Sequence, residues 1–389
     1  MSYNFDEIID RNNTNCIKFD AMEAFIGAKD AIPMWVADMD IRTPDFVIEA
    51  LKKRLEHEVL GYTFRSDEFY DSIINWLQKR HQWSIQKDWI SFSPGVVSGY
   101  TIAVEQFSNP GDKVIIQPPV YFPFLHSIEG LGRTPLLNPL KLENGRLCMD
   151  FENLESQIDS STKVLLLCNP HNPGGSVWTK EELTQLSEIC AKNNIVVVSD
   201  EIHSDVVFQP NKYTPYASIS KAASMNSITV LSHSKTFNVA GLATSYVIAE
   251  NKALLEKYNK SLNMLHLNMG NIFGAEALVA SYKNGEKWLT ELINYLEGNV
   301  NLVEEFISQN LPQLKVIRPE STFLVWIDCR EMKMNAAEIK DFFFNKAKIA
   351  INEGSMFGVG GEGFVRLNIG CPRSVVQKAL DQLKEAFNA

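Results

Sequence analysis

Ile228-Thr229-Val230-Leu231-Ser232-His233-Ser234-Lys235-Thr236-Phe237-Asn238 joins a short apolar run to a hydroxyl-rich turn that carries a lysine. A lysine at the end of a buried strand, set among hydroxyl groups, is poorly explained as a solvated surface charge. It is explained as an amine held ready to form a Schiff base, the way pyridoxal phosphate (PLP) is carried. Such a site requires three more things: a partner for the pyridinium nitrogen, a cradle for the phosphate, and a cation for the carboxylate of an amino-acid substrate.

Outward from this stretch, apolar runs recur at 113–117, 163–168, 195–199, 228–232 and 244–249. Between them lie helical patterns. The clearest is 179–193, with Leu183, Leu186, Ile189 and Cys190 on one face and Thr179 as N-cap ahead of Glu181 and Glu182. Continuously apolar strands alternating with helices predict an α/β fold with a mostly parallel central sheet covered on both faces. Functional residues in such sheets gather at the carboxyl ends of the strands. After about Tyr282 the pattern changes to a long helix over 286–310, a strand over 322–327, a helix over 336–348, a Gly-rich loop over 353–363, a strand over 364–369 and a helix over 373–387. This reads as a smaller α+β domain. The expected division is an N-terminal segment, 1–45, packing on the small domain, a large domain over 46–282, and a C-terminal small domain over 283–389.

The three requirements each have candidates. Asp200 closes the run 195–199, and a carboxylate there would keep a pyridine nitrogen protonated by charge pairing; capping a turn is the competing reading. Gly95, Val96 and Val97, in Ser93-Pro94-Gly95-Val96-Val97-Ser98-Gly99, precede a helical pattern whose first N–H groups make an anion site. Ser232 and Ser234 could add hydroxyl donors to the same phosphate. Arg366, inside the apolar strand Phe364-Val365-Arg366-Leu367-Asn368-Ile369, needs an anionic partner. That partner is either the substrate's α-carboxylate, gripped by two parallel hydrogen bonds, or a structural salt bridge.

Three further residues sit at strand ends. Asn172, in the turn Asn169-Pro170-His171-Asn172-Pro173-Gly174-Gly175, either donates to the ring's phenolic oxygen and lines the substrate site or merely belongs to a tight loop. Tyr121, in Pro118-Pro119-Val120-Tyr121-Phe122-Pro123, either stacks on the cofactor or packs in the core. His203 either contacts the ring oxygen or a substrate, or is a satisfied loop histidine.

Composition narrows the alternatives. The 389 residues are 45% hydrophobic, enough for a large core, and carry 37 basic against 47 acidic side chains. A formal charge of −10 argues against nucleic-acid binding. Cys16, Cys148, Cys168, Cys190, Cys329 and Cys371 show no CxxC spacing, which reads as reduced thiols rather than disulfides or a metal site. No apolar run approaches the ~20 residues of a membrane helix, and Met1-Ser2-Tyr3-Asn4-Phe5 does not open like a signal peptide. A soluble, cytoplasmic protein is expected.

Taken in order, Gly95, Tyr121, Asn172, Asp200, Lys235 and Arg366 resemble the fold-type I PLP-dependent enzymes of the aminotransferase class I/II superfamily. Within it, Pro33-Met34-Trp35-Val36-Ala37-Asp38-Met39-Asp40, Asp200-Glu201-Ile202-His203 and Arg366-Leu367-Asn368-Ile369-Gly370-Cys371-Pro372-Arg373 are similar to the MalY/PatB-type C–S lyases (cystathionine β-lyases). Two departures from the aminotransferase pattern favour that branch. Ala243 stands where many aminotransferases place a phosphate-holding arginine, and His203 where they commonly have a tyrosine.

The resemblance implies a homodimer with active sites at the subunit interface, where Tyr62 reaches the phosphate of the other subunit and Trp35 and Asp38 line the substrate side. It also implies α,β-elimination of L-cystathionine or a related cysteine S-conjugate to a thiol (homocysteine), pyruvate and ammonia. Amino-group transfer shares the first steps and remains the alternative. A second alternative is a regulatory contact with a transcription activator in addition to catalysis; no motif marks a surface for it.

Overall fold

The computed structural model describes residues 3–388. Its centre is a seven-stranded sheet of β1 (Ile90–Ser93), β2 (Lys113–Ile116), β3 (Thr134–Leu137), β4 (Thr162–Cys168), β5 (Val196–Asp200), β6 (Ser227–Leu231) and β7 (Ser245–Ile248), in the order β1-β7-β6-β5-β4-β2-β3. The strand β7 runs antiparallel to both neighbours, and the pairs from β6 to β3 are all parallel.

Residue parity explains why these strands read as unbroken apolar runs. On β4, Val164 and Leu166 face one core cluster, with Tyr100 and Ile102 of helix α1 (Val96–Phe107). Leu165 and Leu167 face the opposite cluster, with Leu183, Leu186 and Ile189 of helix α2 (Lys180–Lys192). A strand buried on both faces has no polar side to alternate with. Helix α2 starts at a capping box, in which Thr179 Oγ1 accepts from Glu182 N–H and the Glu182 carboxylate accepts from Thr179 N–H.

Helix α1 lies close on the sheet at Gly99, where a Cβ would sit 2.8 Å from Val230 Cγ1 and 2.9 Å from Ser93 Oγ. Gly99→Ala is therefore expected to destabilise the fold by about 1–3 kcal/mol, read as a lower urea midpoint at unchanged slope.

Downstream, helix α3 (Glu286–Asn310) leads to a four-stranded antiparallel sheet. Its strands are β8 (Lys315–Ile317), β9 (Leu324–Asp328), β10 (Asn352–Glu353) and β11 (Phe364–Asn368), in the order β8-β9-β11-β10, and helix α4 (Arg373–Asn388) follows. The expected helix over 336–348 is α-helical only over Ala336–Asp341 and then widens into a π-turn over Phe342–Lys346. Phe342, Phe343 and Phe344 are all buried, which a 3.6-residue period cannot arrange on one face. Near the N-terminus, Ile32 and Pro33 pair in parallel with Ile349 and Ala350. One apolar cluster runs from Phe5, Trp35 and Met39 through Trp288 and Phe323 to Leu380. No helix among the described residues is long and apolar enough to cross a membrane.

Candidate active site

Register brings the candidate residues together. The carboxyl ends of β4, β5 and β6 are neighbours: Cys168 pairs with Asp200, and Asp200 with Val230. The turns that leave these ends carry Asn172, His203 and Lys235. Arg366 arrives from the small sheet, where it pairs with Asn352 and Trp326.

Lys235 is partly buried, and its Nζ donates to Ala37 O at 2.5 Å. Desolvation brings its pKa down to about 8, with Asp38 and Asp200 opposing the shift and Arg366 adding to it. The turn is pinned from behind by the buried Asp205, which accepts from Thr236 Oγ1 at 2.8 Å and Trp76 Nε1 at 3.1 Å and lies 2.9 Å from His81 Nε2.

Asp200 is buried and accepts one hydrogen bond among the described residues, from Ile202 N–H at 3.1 Å. Burial pushes its pKa up to about 7, against the lowering effects of that bond and of Lys235. The capping reading accounts for a single bond and leaves most of this buried carboxylate uncompensated. The neighbouring Glu201 faces away, held by Tyr213 Oη, Ser199 Oγ and Tyr216 N–H.

Arg366 is buried and has no carboxylate partner among the described residues. Nη1 donates to Asn172 Oδ1 at 3.0 Å, and Nη2 donates to Trp35 O at 2.9 Å and Asn352 Oδ1 at 2.6 Å. Nε has no partner, and the guanidinium carbon lies 4.9 Å from the Phe357 ring centroid. Burial lowers its pKa to about 10. A structural salt bridge, the competing reading, is not formed among the described residues.

His203 is buried with Nδ1 unpartnered, and desolvation, Lys235 and Arg366 lower its pKa to about 3, so the ring is neutral. Tyr121 lies close enough to Asp200 and Arg366 to feel both; burial, the largest effect, raises its pKa to about 12.

At the start of α1, Gly95 is the N-cap, without a side-chain cap. The first N–H groups of a helix have no intrahelical acceptor, and a Cβ at Gly95 would meet nothing within 4 Å, so the space beside them is open. Val96 is buried and Val97 exposed. Gly95 itself is extended, at φ 169° and ψ 157°, a conformation open to any residue. The two serines differ. Ser232 Oγ donates to Thr244 O at 2.8 Å and accepts from Ser234 N–H at 3.1 Å, so its proton is already committed, whereas the Ser234 hydroxyl makes no hydrogen bond among the described residues.

On the substrate side, Trp35 is buried, and its indole N–H is spent on Lys18 O at 3.0 Å. Asp38 is paired with Arg11 at 2.7 Å. Tyr62 is not brought to the site of its own chain: its side chain is 97% exposed.

Sequence reasoning passed over Asn352, Asn368 and the backbone of 34–39. Asn368 Nδ2 donates to Val36 O and Asp38 O, and Lys235 and Arg366 use the carbonyls of Ala37 and Trp35. Asn368 could have been found, since it stands two residues beyond Arg366 on the same strand and therefore on the same face.

Known proteins match this chain along nearly all of its length. The model of the family "Aminotransferase class I and II" matches residues 30–383. Cystathionine beta-lyase PatB of Bacillus subtilis is 42% identical over 386 residues, 99% of this chain and 100% of that one. Protein MalY of Escherichia coli is 33% identical over 393 residues, 100% of this chain and 99% of that one. The crystal structure of cystalysin from Treponema denticola, which contains pyridoxal 5'-phosphate, superposes with a TM-score of 0.95 at 38% identity, covering 100% of this chain and 99% of that one. The chain belongs to the aminotransferase class I and II family.

Proposed function

We propose that the chain is a PLP-dependent C–S β-lyase that cleaves L-cystathionine or a related cysteine S-conjugate. The observation that carries the reading is Arg366, a buried guanidinium with three neutral acceptors, an orphaned Nε and no carboxylate partner among the described residues. It sits in one pocket with an amine whose pKa is about 8. The lyase branch is supported by the full-length identity to PatB.

The residues fit PLP. Asp200 is a buried carboxylate with no ion-pair partner among the described residues, His203 has an orphaned ring nitrogen, and the N-terminus of α1 is uncapped beside open space. Lys235 would hold the aldehyde carbon and Asp200 the ring nitrogen. Asn172 and His203 would lie at the ring's polar edge and Tyr121 on its face. The N–H groups of Val96 and Val97 beside Gly95, together with Ser234 and Ser232, would hold the phosphate. When bound, PLP supplies an aldehyde that condenses with amines and a protonated ring that takes up electrons from the substrate Cα.

The side chains do the rest. Arg366 exchanges neutral acceptors for the substrate carboxylate, a stronger charge-assisted pair. Lys235 accepts the Cα proton at Nζ; with a pKa near 8, a usable fraction of the amine is neutral at pH 7. Asp200 holds its positive partner in place. The Cα–H and Cβ–S bonds break, sulfur leaves as a thiol, and the three-carbon remainder hydrolyses to pyruvate and ammonia.

We also place the active site at the interface of a homodimer. Val59, Leu60, Tyr62 and Phe64 are 66%, 54%, 97% and 89% exposed on one irregular stretch, an apolar run that a second copy would cover and from which Tyr62 would reach the other subunit's phosphate. A cytoplasmic location fits six free cysteines.

L-cystathionine supplied without a keto acid decides between elimination and amino transfer. Homocysteine and pyruvate should appear in equal amounts. Turnover only on addition of a keto acid would assign the chain to the transferases.

A further inference from the structure

Six consecutive carbonyls, from Met34 to Met39, accept hydrogen bonds from residues of the pocket. Asn368 N–H reaches Met34 O, Arg366 reaches Trp35 O, Asn368 Nδ2 reaches Val36 O and Asp38 O, Lys235 reaches Ala37 O, and Asn238 Nδ2 reaches Met39 O. Most of this stretch has no regular structure of its own, so something outside it must hold it in place.

Two cations, Arg11 and Lys18, do so through the carboxylates of Asp38 and Asp40. Arg11 bonds both carboxylates, at 2.7 Å to Asp38 and 2.6 Å to Asp40. Lys18 Nζ lies 2.7 Å from Asp40 Oδ2, 3.7 Å from Asp38 Oδ1 and 3.3 Å from Asp38 O. Lys18 is only 1% exposed. Lysine is almost never buried this fully unless paired, and tethering a surface segment would not require it. The Lys18 carbonyl also accepts the Trp35 indole N–H.

We propose that Lys18 is a positioning residue for proton transfer by Lys235: it locks the 34–40 segment so that Ala37 O orients the Lys235 amine, and it offsets the negative charge that Asp38 presents to that amine. The second half rests on the reading of Lys235 given above. The charged and titratable groups around the amine are Asp38 and Asp200, which favour its protonated form, Arg366, which opposes it, and His203, which is neutral. Arg11, Lys18 and Asp40 set how much of the Asp38 charge the amine feels. With two cations against two carboxylates, the cluster is balanced, and removing one member shifts the balance in a known direction.

The test uses the holoenzyme. In Lys18→Met, Asp38 is less compensated, so Lys235 keeps its proton to higher pH. The acid limb of the kcat profile for L-cystathionine should move up by about 0.5 pH unit, a threefold change in the protonation constant. Amide exchange at Met39 and Asp40, whose N–H groups bond Asn238 Oδ1 and Gly370 O, should quicken at least about tenfold. Lys18→Arg should restore both. Asp40→Asn leaves cation in excess and should move the limb down instead, which keeps the proposal testable should Lys18→Met not fold. Unchanged exchange in Lys18→Met, or an acid limb that stays put in either variant, overturns the proposal. Exchange reports on the clamp whatever the reaction, whereas absence of elimination in the parent enzyme would overturn the reading of Lys235 and leave the clamp standing.

Discussion

Lys235→Ala should lower elimination by about four orders of magnitude or more, because on the reading proposed above it removes both the covalent anchor and the group that takes the Cα proton. Thiol and pyruvate release under saturating L-cystathionine measures the loss, and the absorbance of a lysine-linked cofactor should vanish with it. The fold should survive. The amine makes one hydrogen bond, to Ala37 O, and its depressed pKa says that the folded protein resists its charge. The sign follows from linkage. A lysine with a folded pKa near 8 and an unfolded value of 10.5 binds more protons when unfolded, so its unfavourable contribution is complete below pH 8 and fades between 8 and 10.5. Without cofactor, the variant at pH 7 should therefore melt at or above the parent temperature. Residual elimination above about a hundredth of the parent rate would show that another group moves the proton. A regulatory contact with another protein would persist in this variant, which separates that role from catalysis.

What was legible in the chain follows from which chemistry leaves a trace in residue types. Strands β4, β5 and β6 were visible as apolar runs because helices cover both faces, and Asp200 and Lys235 were visible because a charge at the end of such a run stands out against it. The two strands that were not singled out, Ile90–Ser93 and Thr134–Leu137, are the edges of the same sheet. Their sequences, Ile-Ser-Phe-Ser and Thr-Pro-Leu-Leu, offer only two or three apolar residues each, and the second carries a proline, which an edge strand tolerates and a central one does not. Arg366 and Asn172 were each found, but not that Asn172 Oδ1 accepts from Arg366, since a contact spanning 194 residues has no signature in either neighbourhood. Least legible was the backbone of 34–39. A carbonyl belongs to every residue type, so its role shows only when Lys235, Arg366 and Asn368 are seen converging on it.

Asp200→Asn should have opposite effects on catalysis and on the stability of the cofactor-free protein. The side chain is buried, accepts a single bond from Ile202 N–H, and is close to isosteric with asparagine, so the change is almost purely electrostatic. On the reading proposed above, the carboxylate is the group that holds a proton on the ring nitrogen. kcat should fall by about 10²–10³-fold, the usual loss when one preorganised electrostatic group is removed. KM should change little, because the proposed carboxylate grip of Arg366 is untouched. Stability moves the other way. Burial raises the folded pKa of Asp200 from 3.8 to about 7, so between those values the folded chain binds more protons than the unfolded one, and its stability falls as pH rises. Glu201, raised from 4.5 to about 7, pulls in the same direction over nearly the same window. Asparagine removes the Asp200 share. The cofactor-free variant should therefore melt above the parent at pH 8 and close to it at pH 4. Parallel melting curves at both pH values would mean that Asp200 is already paired, and an unchanged kcat would mean that the ring does not depend on it. A gain in cofactor-free stability together with a loss of turnover marks a residue that is kept for its charge at the expense of the fold.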